Sequence, residues 1–258
     1  MKPFKQSDFS SASLSQVIQN FLPTYKQQYK LSPEQASVCQ SIIQCQTEAM
    51  GKKAMFCTTC GYEQLHYRSC GNRHCPQCKQ KASEQWENKQ LEALLPVRYY
   101  HLVFTLPHEF NAWSQLHPKE LYTLLFQAVW QTLKKFSSTH KRLKGQLGVT
   151  CVLHTWGQNL QKHIHIHCLI PGVALKDDHN SVETTQSDYL YPIKPLKKVF
   201  RGKMVSLIRQ AYQQGKLFRI TRINEVNSIL NTVMRKTWSV YIKPYLNHPE
   251  TVVKYLSR

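Results

Sequence analysis

His163-Ile164-His165-Ile166-His167 alternates imidazole and branched aliphatic side chains inside the segment Lys162–Pro171. A period of two is the mark of a β-strand, in which residues two apart share a face. The three imidazoles then point one way, and Ile164, Ile166 and Cys168 point the other way into a core. Neutral imidazole is the commonest metal ligand among side chains, and two on one strand face can hold the same ion. A lone histidine here would read as an incidental surface residue; three in strict alternation predict a metal site.

Working outward, Gln146–Trp156 reads as a strand and Gly157–Lys162 as a turn, so that His163–Ile170 closes a hairpin. A loose register would bring His154 opposite the triplet, leaving His154 and His163 as alternative third ligands. Upstream, Arg98–Leu106 (RYYHLVFTL) is an aromatic, β-branched strand stopped by Pro107. Lys119–Phe136 carries helical periodicity, Leu196–Gln214 is a basic helix, and Asn227–Arg235 is another helix. Lys236–Ile242 reads as a strand and Glu250–Arg258, opened by Pro249, as a last helix.

Charge narrows the partner. Lys and Arg outnumber Asp and Glu by 34 to 15 in 258 residues, giving +19, which predicts a polyanion and nucleic acid first. A membrane is the weaker case, since the sequence has no apolar run of membrane-spanning length and no signal peptide. We expect neither a membrane partner nor a small-molecule substrate, and the clustered thiols point to a cytoplasmic location. No Asp or Glu lies between Leu121 and Lys176, so the histidine site is cationic and no nearby carboxylate completes a metal shell. Carboxylates return in Asp177–Asp188, which reads as a surface loop. From Lys194 onward fourteen Lys/Arg face two Glu. Arg73, Lys162, Lys197, Lys198, Arg201 and Lys203 are the candidate DNA contacts.

Cysteine placement supplies the second motif. Cys57-Thr-Thr-Cys60 and Cys75-Pro-Gln-Cys78 are separated by fourteen residues, a spacing that lets four thiolates close a zinc tetrahedron. Cys70 and His74 are spare ligands that could replace one of these or build a second site. Ser32 caps a helix with Pro33 in its first turn, and Val38, Ile42, Cys45 and Ala49 follow helical spacing, which places Cys45 in the core rather than on metal. Ala82–Leu95 is an amphipathic helix ending at Pro96. The expected organisation is an extension over 1–31, a zinc-binding, DNA-binding domain over 32–96, and an α+β domain over 97–258.

Taken in order, CTTCG, YRSCGNRHCPQC, YYHLVFTLPHEFN, HTWGQNLQKHIHIHCLIPG, VFRGKMVSLIRQAYQQGKL and RKTWSVYIKPYLNHPETVVKYLSR resemble rolling-circle insertion-sequence transposases. These are the HUH (His-hydrophobic-His), two-tyrosine class with an N-terminal transposase zinc-binding domain. The resemblance implies a zinc-ribbon-like domain joined to a nuclease domain, whose central antiparallel sheet is flanked by helices and carries His165-Ile166-His167 on a middle strand. It implies catalytic Mg²⁺ or Mn²⁺ beside the structural zinc, with single-stranded element ends and target DNA as partners. Ligand softness alone would favour zinc or manganese on imidazoles, and manganese satisfies both arguments. The resemblance also places a catalytic tyrosine at Tyr255, attacking DNA to leave a 5′-phosphotyrosine. Val252 and Leu256 are expected to pack that last helix inward. The second family tyrosine would fall one position past Arg258, so a truncated chain that cleaves once and stalls is expected. Two other readings remain: a catalytically defective remnant that only binds DNA through a zinc ribbon, and an unrelated zinc-ribbon RNA-binding protein, which would leave HIHIH unexplained.

Overall fold

In the computed structural model, which describes residues 13–140, 143–157, 159, 161–220 and 222–257, the chain divides after Glu92. In the first unit, α1 (Leu14–Gln28) and α2 (Pro33–Gln44) each begin with a capping box, Ser13 with Gln16 and Ser32 with Gln35. Each serine oxygen accepts an orphan amide while the glutamine side chain returns to the cap amide. The expected helix from Ser32 therefore forms, but it stops sooner than its apolar spacing suggested: Cys45 is the C-cap and Gln46 takes a positive φ of 58°. A two-stranded antiparallel ribbon follows, β1 (Lys52–Phe56) paired with β2 (Glu63–Tyr67), and every residue in it is exposed. Helix α3 (Pro76–Glu92) starts earlier than the Ala82 expected, directly after Cys75.

The second unit, Ala93–Leu256, carries β3 (Tyr99–Thr105), α4 (Asn111–Leu116) and α5 (Pro118–Thr139), then the strands β4 (Gln146–Leu147), β5 (Thr150–Trp156), β6 (Lys162–Pro171), β7 (Val173–Leu175) and β8 (Val182–Thr184). It finishes with α6 (Ile193–Gln213), α7 (Ile223–Arg235), β9 (Val240–Ile242) and α8 (Pro249–Leu256). The main sheet is antiparallel in the order β5-β6-β3-β9, and β4-β7-β8 form a small second sheet. This is the α+β arrangement expected, with the histidine strand central.

Alternation along the inner strands decides which face is which. Tyr100, Leu102 and Phe104 of β3 and Ile164, Ile166 and Cys168 of β6 are fully buried, packed with Leu125, Ala128 and Leu133 of α5 and with Phe200 and Met204 of α6. Phe200 sits edge-on to Phe104 at 5.0 Å and to Trp238 at 5.3 Å. The residues between them on each strand face the other way.

Three local expectations are revised. The strand expected over 146–156 is two strands, since β4 pairs with β7 while β5 pairs with β6. The strand expected from Lys236 begins only at Val240, because the Trp238 indole N–H donates to the Val233 carbonyl at 2.9 Å and folds the chain back on α7. The acidic stretch 177–188 contains β8 rather than loop alone. Arg258, the expected end of the last helix, and residues 1–12 of the expected N-terminal extension lie outside the described residues. Among the described residues, no helix is long and apolar enough to cross a membrane.

Replacing Ile166, fully buried at the sheet centre, by Ala should lower the unfolding free energy by about 2–5 kcal/mol. The urea midpoint reports it, and a loss under about 1 kcal/mol would contradict this placement of the core.

Candidate active site and metal centre

Four cysteines gather in the first unit, and they are not the four predicted. The Sγ atoms of Cys45, Cys70, Cys75 and Cys78 all lie within 4.8 Å of one another, with Cys78 at 3.5 Å from Cys45 and 3.6 Å from Cys70. A tetrahedron with Zn–S bonds of ~2.3 Å has edges of about 3.8 Å, so the quartet has the size zinc needs. Backbone amides point at the sulfurs, Cys70 N–H toward Cys45 and Asn72 N–H toward Cys70, both at 3.5 Å, an arrangement that favours thiolate. Burial pushes the Cys45 thiol up to about 12. Burial opposes ionisation of Cys78 too, but contacts from Cys45 and Cys70 and the Gly71 amide bring it down to about 7.

Cys57 and Cys60 sit apart and exposed, on the turn that joins β1 to β2. The turn is well formed, Gly61 N–H donating to Cys57 O at 2.9 Å, and amides of Cys60 and Thr59 lower the Cys57 thiol to about 7. Among the described residues no third donor joins this pair, nor does His74, which instead accepts from the Arg73 guanidinium at 3.2 Å. The reason is the ribbon. Spacing alone allowed closure onto Cys75 and Cys78, but the fourteen intervening residues are spent on β2 and its return. Hydrogen bonds at the ribbon base, Gln46 N–H to Arg68 O and Arg68 N–H to Gly51 O, bring Cys70 beside Cys45. The tip is then five strand residues away, roughly 16 Å.

In the second unit, β6 presents His163, His165 and His167 opposite its buried isoleucines, and the hairpin register pairs His154 directly with His165. The ligand nitrogens of His154, His165 and His167 all lie within 4.8 Å of one another; His163 is exposed and outside that group. Of the two third-ligand candidates, the structure gathers His154. His165 Nδ1 lies 2.8 Å from the His163 carbonyl, which only accepts, so Nδ1 carries the proton and Nε2 keeps its lone pair. His167 Nε2 is buried without a hydrogen-bond partner, while its Nδ1 lies 2.8 Å from Nε2 of His101 on β3. Burial, then the neighbouring imidazoles, pushes His167 down to about 3, and burial with the Lys243 charge takes His101 to about 4. Both rings are neutral at pH 7, as metal ligation and its supporting hydrogen bond require.

His101 was missed in the sequence. It sits in an aromatic strand with no alternating partner, and only the β3–β6 pairing puts it against His167.

Tyr255 of α8 lies against two of the trio, its ring centroid 5.6 Å from that of His167 and 5.9 Å from that of His154, and it is half-exposed. Val253 and Leu256 anchor the helix, rather than the Val252 and Leu256 expected; Val252 is only partly buried. The candidate DNA contacts do not converge. Lys162 is next to His163, its Nζ 3.3 Å from the Asn111 carbonyl, whereas Lys197, Lys198, Arg201 and Lys203 ride on α6, which packs on the opposite face of the sheet. Arg201 is tied to the Lys236 carbonyl and its Nε is buried, so it braces the fold more than it offers charge.

Comparison with known proteins agrees across most of the chain. Residues 17–106 match the family described as "Transposase zinc-binding domain", a span that includes all four gathered cysteines, and residues 148–258 match the family described as "Putative transposase". Over both stretches the chain resembles insertion-sequence transposases of the IS91/IS801 type. It is 32% identical over 256 residues to the "Putative transposase y4qJ" of Sinorhizobium fredii, covering 96% of this chain and 64% of that protein. To the transposase for insertion sequence element IS801 of Pseudomonas savastanoi pv. phaseolicola it is 29% identical over 144 residues, covering 53% of this chain and 33% of that one. The chain thus spans just under two thirds of one transposase and aligns with one third of the other. Among solved structures, the conjugative relaxase TrwC in complex with OriT DNA, in its metal-free form, aligns with a TM-score of 0.33 at 11% identity, covering 61% of this chain and 71% of that chain.

Elemental analysis of this protein should find zinc that is lost in Cys45→Ser and Cys70→Ser and retained in Cys57→Ser/Cys60→Ser. Loss with the second pair and not the first would restore the set read from the sequence.

Proposed function

We propose that this protein is a transposase that nicks single-stranded DNA at the ends of its element through Tyr255 and transfers the cut strand during transposition. The observation that carries this reading is the placement of a half-exposed tyrosine against His154 and His167, two of three converging histidines. His154, His165 and His167 would hold a divalent ion, whose contribution when bound is Lewis-acid withdrawal of charge from the scissile phosphate. Three neutral imidazoles suit manganese better than magnesium, so manganese is the ion to test first.

The chain's own residues supply the rest. The Tyr255 oxygen attacks phosphorus and the P–O3′ bond breaks. The product is a 5′-phosphotyrosine and a 3′-hydroxyl, the phenolic proton passing through solvent to the departing oxygen. One phosphodiester replaces another, so strand rejoining needs no nucleotide triphosphate. His101 acts as a positioning residue: accepting the His167 Nδ1 proton leaves Nε2 free to ligate. The cysteine quartet, Cys45, Cys70, Cys75 and Cys78, would hold a structural zinc in the DNA-binding unit.

With a labelled single-stranded element end and Mn²⁺, the parent chain should give a covalent adduct on a denaturing gel. Tyr255→Phe should abolish it, and His167→Ala should slow it at least about a hundredfold while DNA binding stays nearly intact. Adduct formation that persists in Tyr255→Phe removes the nucleophile; DNA binding with no adduct from the parent favours the zinc-ribbon binding reading instead.

By calorimetry, His101→Ala should weaken Mn²⁺ affinity by about 10–100-fold with an unchanged circular-dichroism spectrum. His101→Gln, whose carbonyl can accept the same proton, should recover much of the loss. Equal Mn²⁺ affinity in His101→Ala and parent would remove the positioning role.

A further inference from the structure

The open face of the main sheet continues beyond the histidines. Val152, His167, Val103 and Tyr241 are successive Cα partners across β5, β6, β3 and β9, forming one row perpendicular to the strands. Tyr241 is therefore two strand spacings from His167, about 10 Å, on the same face as the metal trio. Its orientation is fixed by its neighbours, since Val240 and Ile242 are buried in the core and the residue between them must point outward. Yet it is 52% exposed, with no aromatic or cation–π partner among the described residues. Lys243, two residues on and exposed on the same face, extends the row of His101, to whose carbonyl its amide donates at 3.1 Å. None of the strand residues on this face is acidic.

We infer that Tyr241 and Lys243 form a binding site for single-stranded DNA, in which the phenol ring stacks a nucleobase adjoining the scissile position and the ammonium contacts the neighbouring phosphate. An aromatic ring on a rigid strand, flanked by a cation on a face whose strands carry no carboxylate, is the pattern that takes unpaired bases without sequence preference. Duplex DNA keeps its base faces stacked on one another and gains nothing from the ring. Tyr255 lies over His154 and His167, on the β5–β6 side of the trio, while β9 is the opposite edge of the sheet, so a strand reaching the trio over β9 and β3 leaves the nucleophile unobstructed. The site rests on the strand-cleavage reading for its purpose, but its binding is measurable without cleavage.

The test uses the full chain carrying His167→Ala, without added divalent metal, and a fluorescein-labelled mixed-sequence single-stranded 20-mer against the same sequence as duplex. Tyr241→Ala should weaken single-strand affinity at least about fivefold, the lower bound for one stacked base, and leave duplex affinity within twofold. Tyr241→Trp should restore single-strand binding and add a tryptophan emission quenched by the oligonucleotide. Lys243→Ala should lower the slope of log affinity against log salt by about 0.7, one single-strand phosphate contact. Single-strand affinity unchanged in Tyr241→Ala, or an equal loss on duplex, overturns the proposal. So does a dimer of the parent that dissociates in Tyr241→Ala by sedimentation, since the ring would then be covered by a second copy. A parent that forms the Tyr255 adduct but shows no Tyr241 effect leaves cleavage standing and this site refuted; the reverse result leaves the site standing and cleavage refuted.

Discussion

Everything in the second unit depends on β6 being paired on both sides. With β5 on one edge and β3 on the other, its backbone polar groups are satisfied by the ladders, and its side chains are forced to opposite faces. Ile164, Ile166 and Cys168 bury completely, which fixes the register, because a slip of one residue would send the isoleucines outward and the histidines into the core. The histidines are held in place by the hydrophobic burial behind them. The same pairing limits their exposure to 8% for His165 and 6% for His167 and keeps both rings neutral. Neutral imidazole is the form that ligates metal, so packing and chemistry point the same way.

The first unit solves a different problem. Its buried cluster consists of little more than Ile42, Cys45 and Cys75, with Ile18, Val38, Cys70 and Cys78 packed around them. So small an apolar core provides little stability by itself, and four thiols at its centre make metal the natural substitute for missing hydrophobic volume. The ribbon β1–β2 projects from this centre with both faces exposed, and the bonds at its base determine which cysteines meet.

The contrast between the two sites shows how far spacing arguments reach. For the histidines, the ligands sit on strands, where periodicity dictates direction, so the facing triplet and the possibility of His154 were both legible. For the cysteines, paired motifs give the knuckles but not their partners, because the chain between them is free to fold in more than one way. Cys45 was assigned to the core on helical spacing; it does lie in a core, but as the C-cap of α2 and a neighbour of Cys78. The basic helix α6 forms as expected, yet its charges fall on the layer behind the sheet, a fact that composition has no means to express.

The α+β class and the central place of the histidine strand came from the resemblance; the residues by themselves determined that strand's inward isoleucines, the capped start of α2, and the presence of a thiol-rich, zinc-sized motif. Each of the latter follows from local rules: a period of two, a cap residue, a knuckle. Only the tertiary structure decided which four cysteines converge, that His154 rather than His163 joins the trio, that His101 lies against His167, and that Tyr241 lies in the same row as His167. Those relations are set by strand order and register between segments far apart in the chain, and periodicity within one segment carries no information about its neighbour.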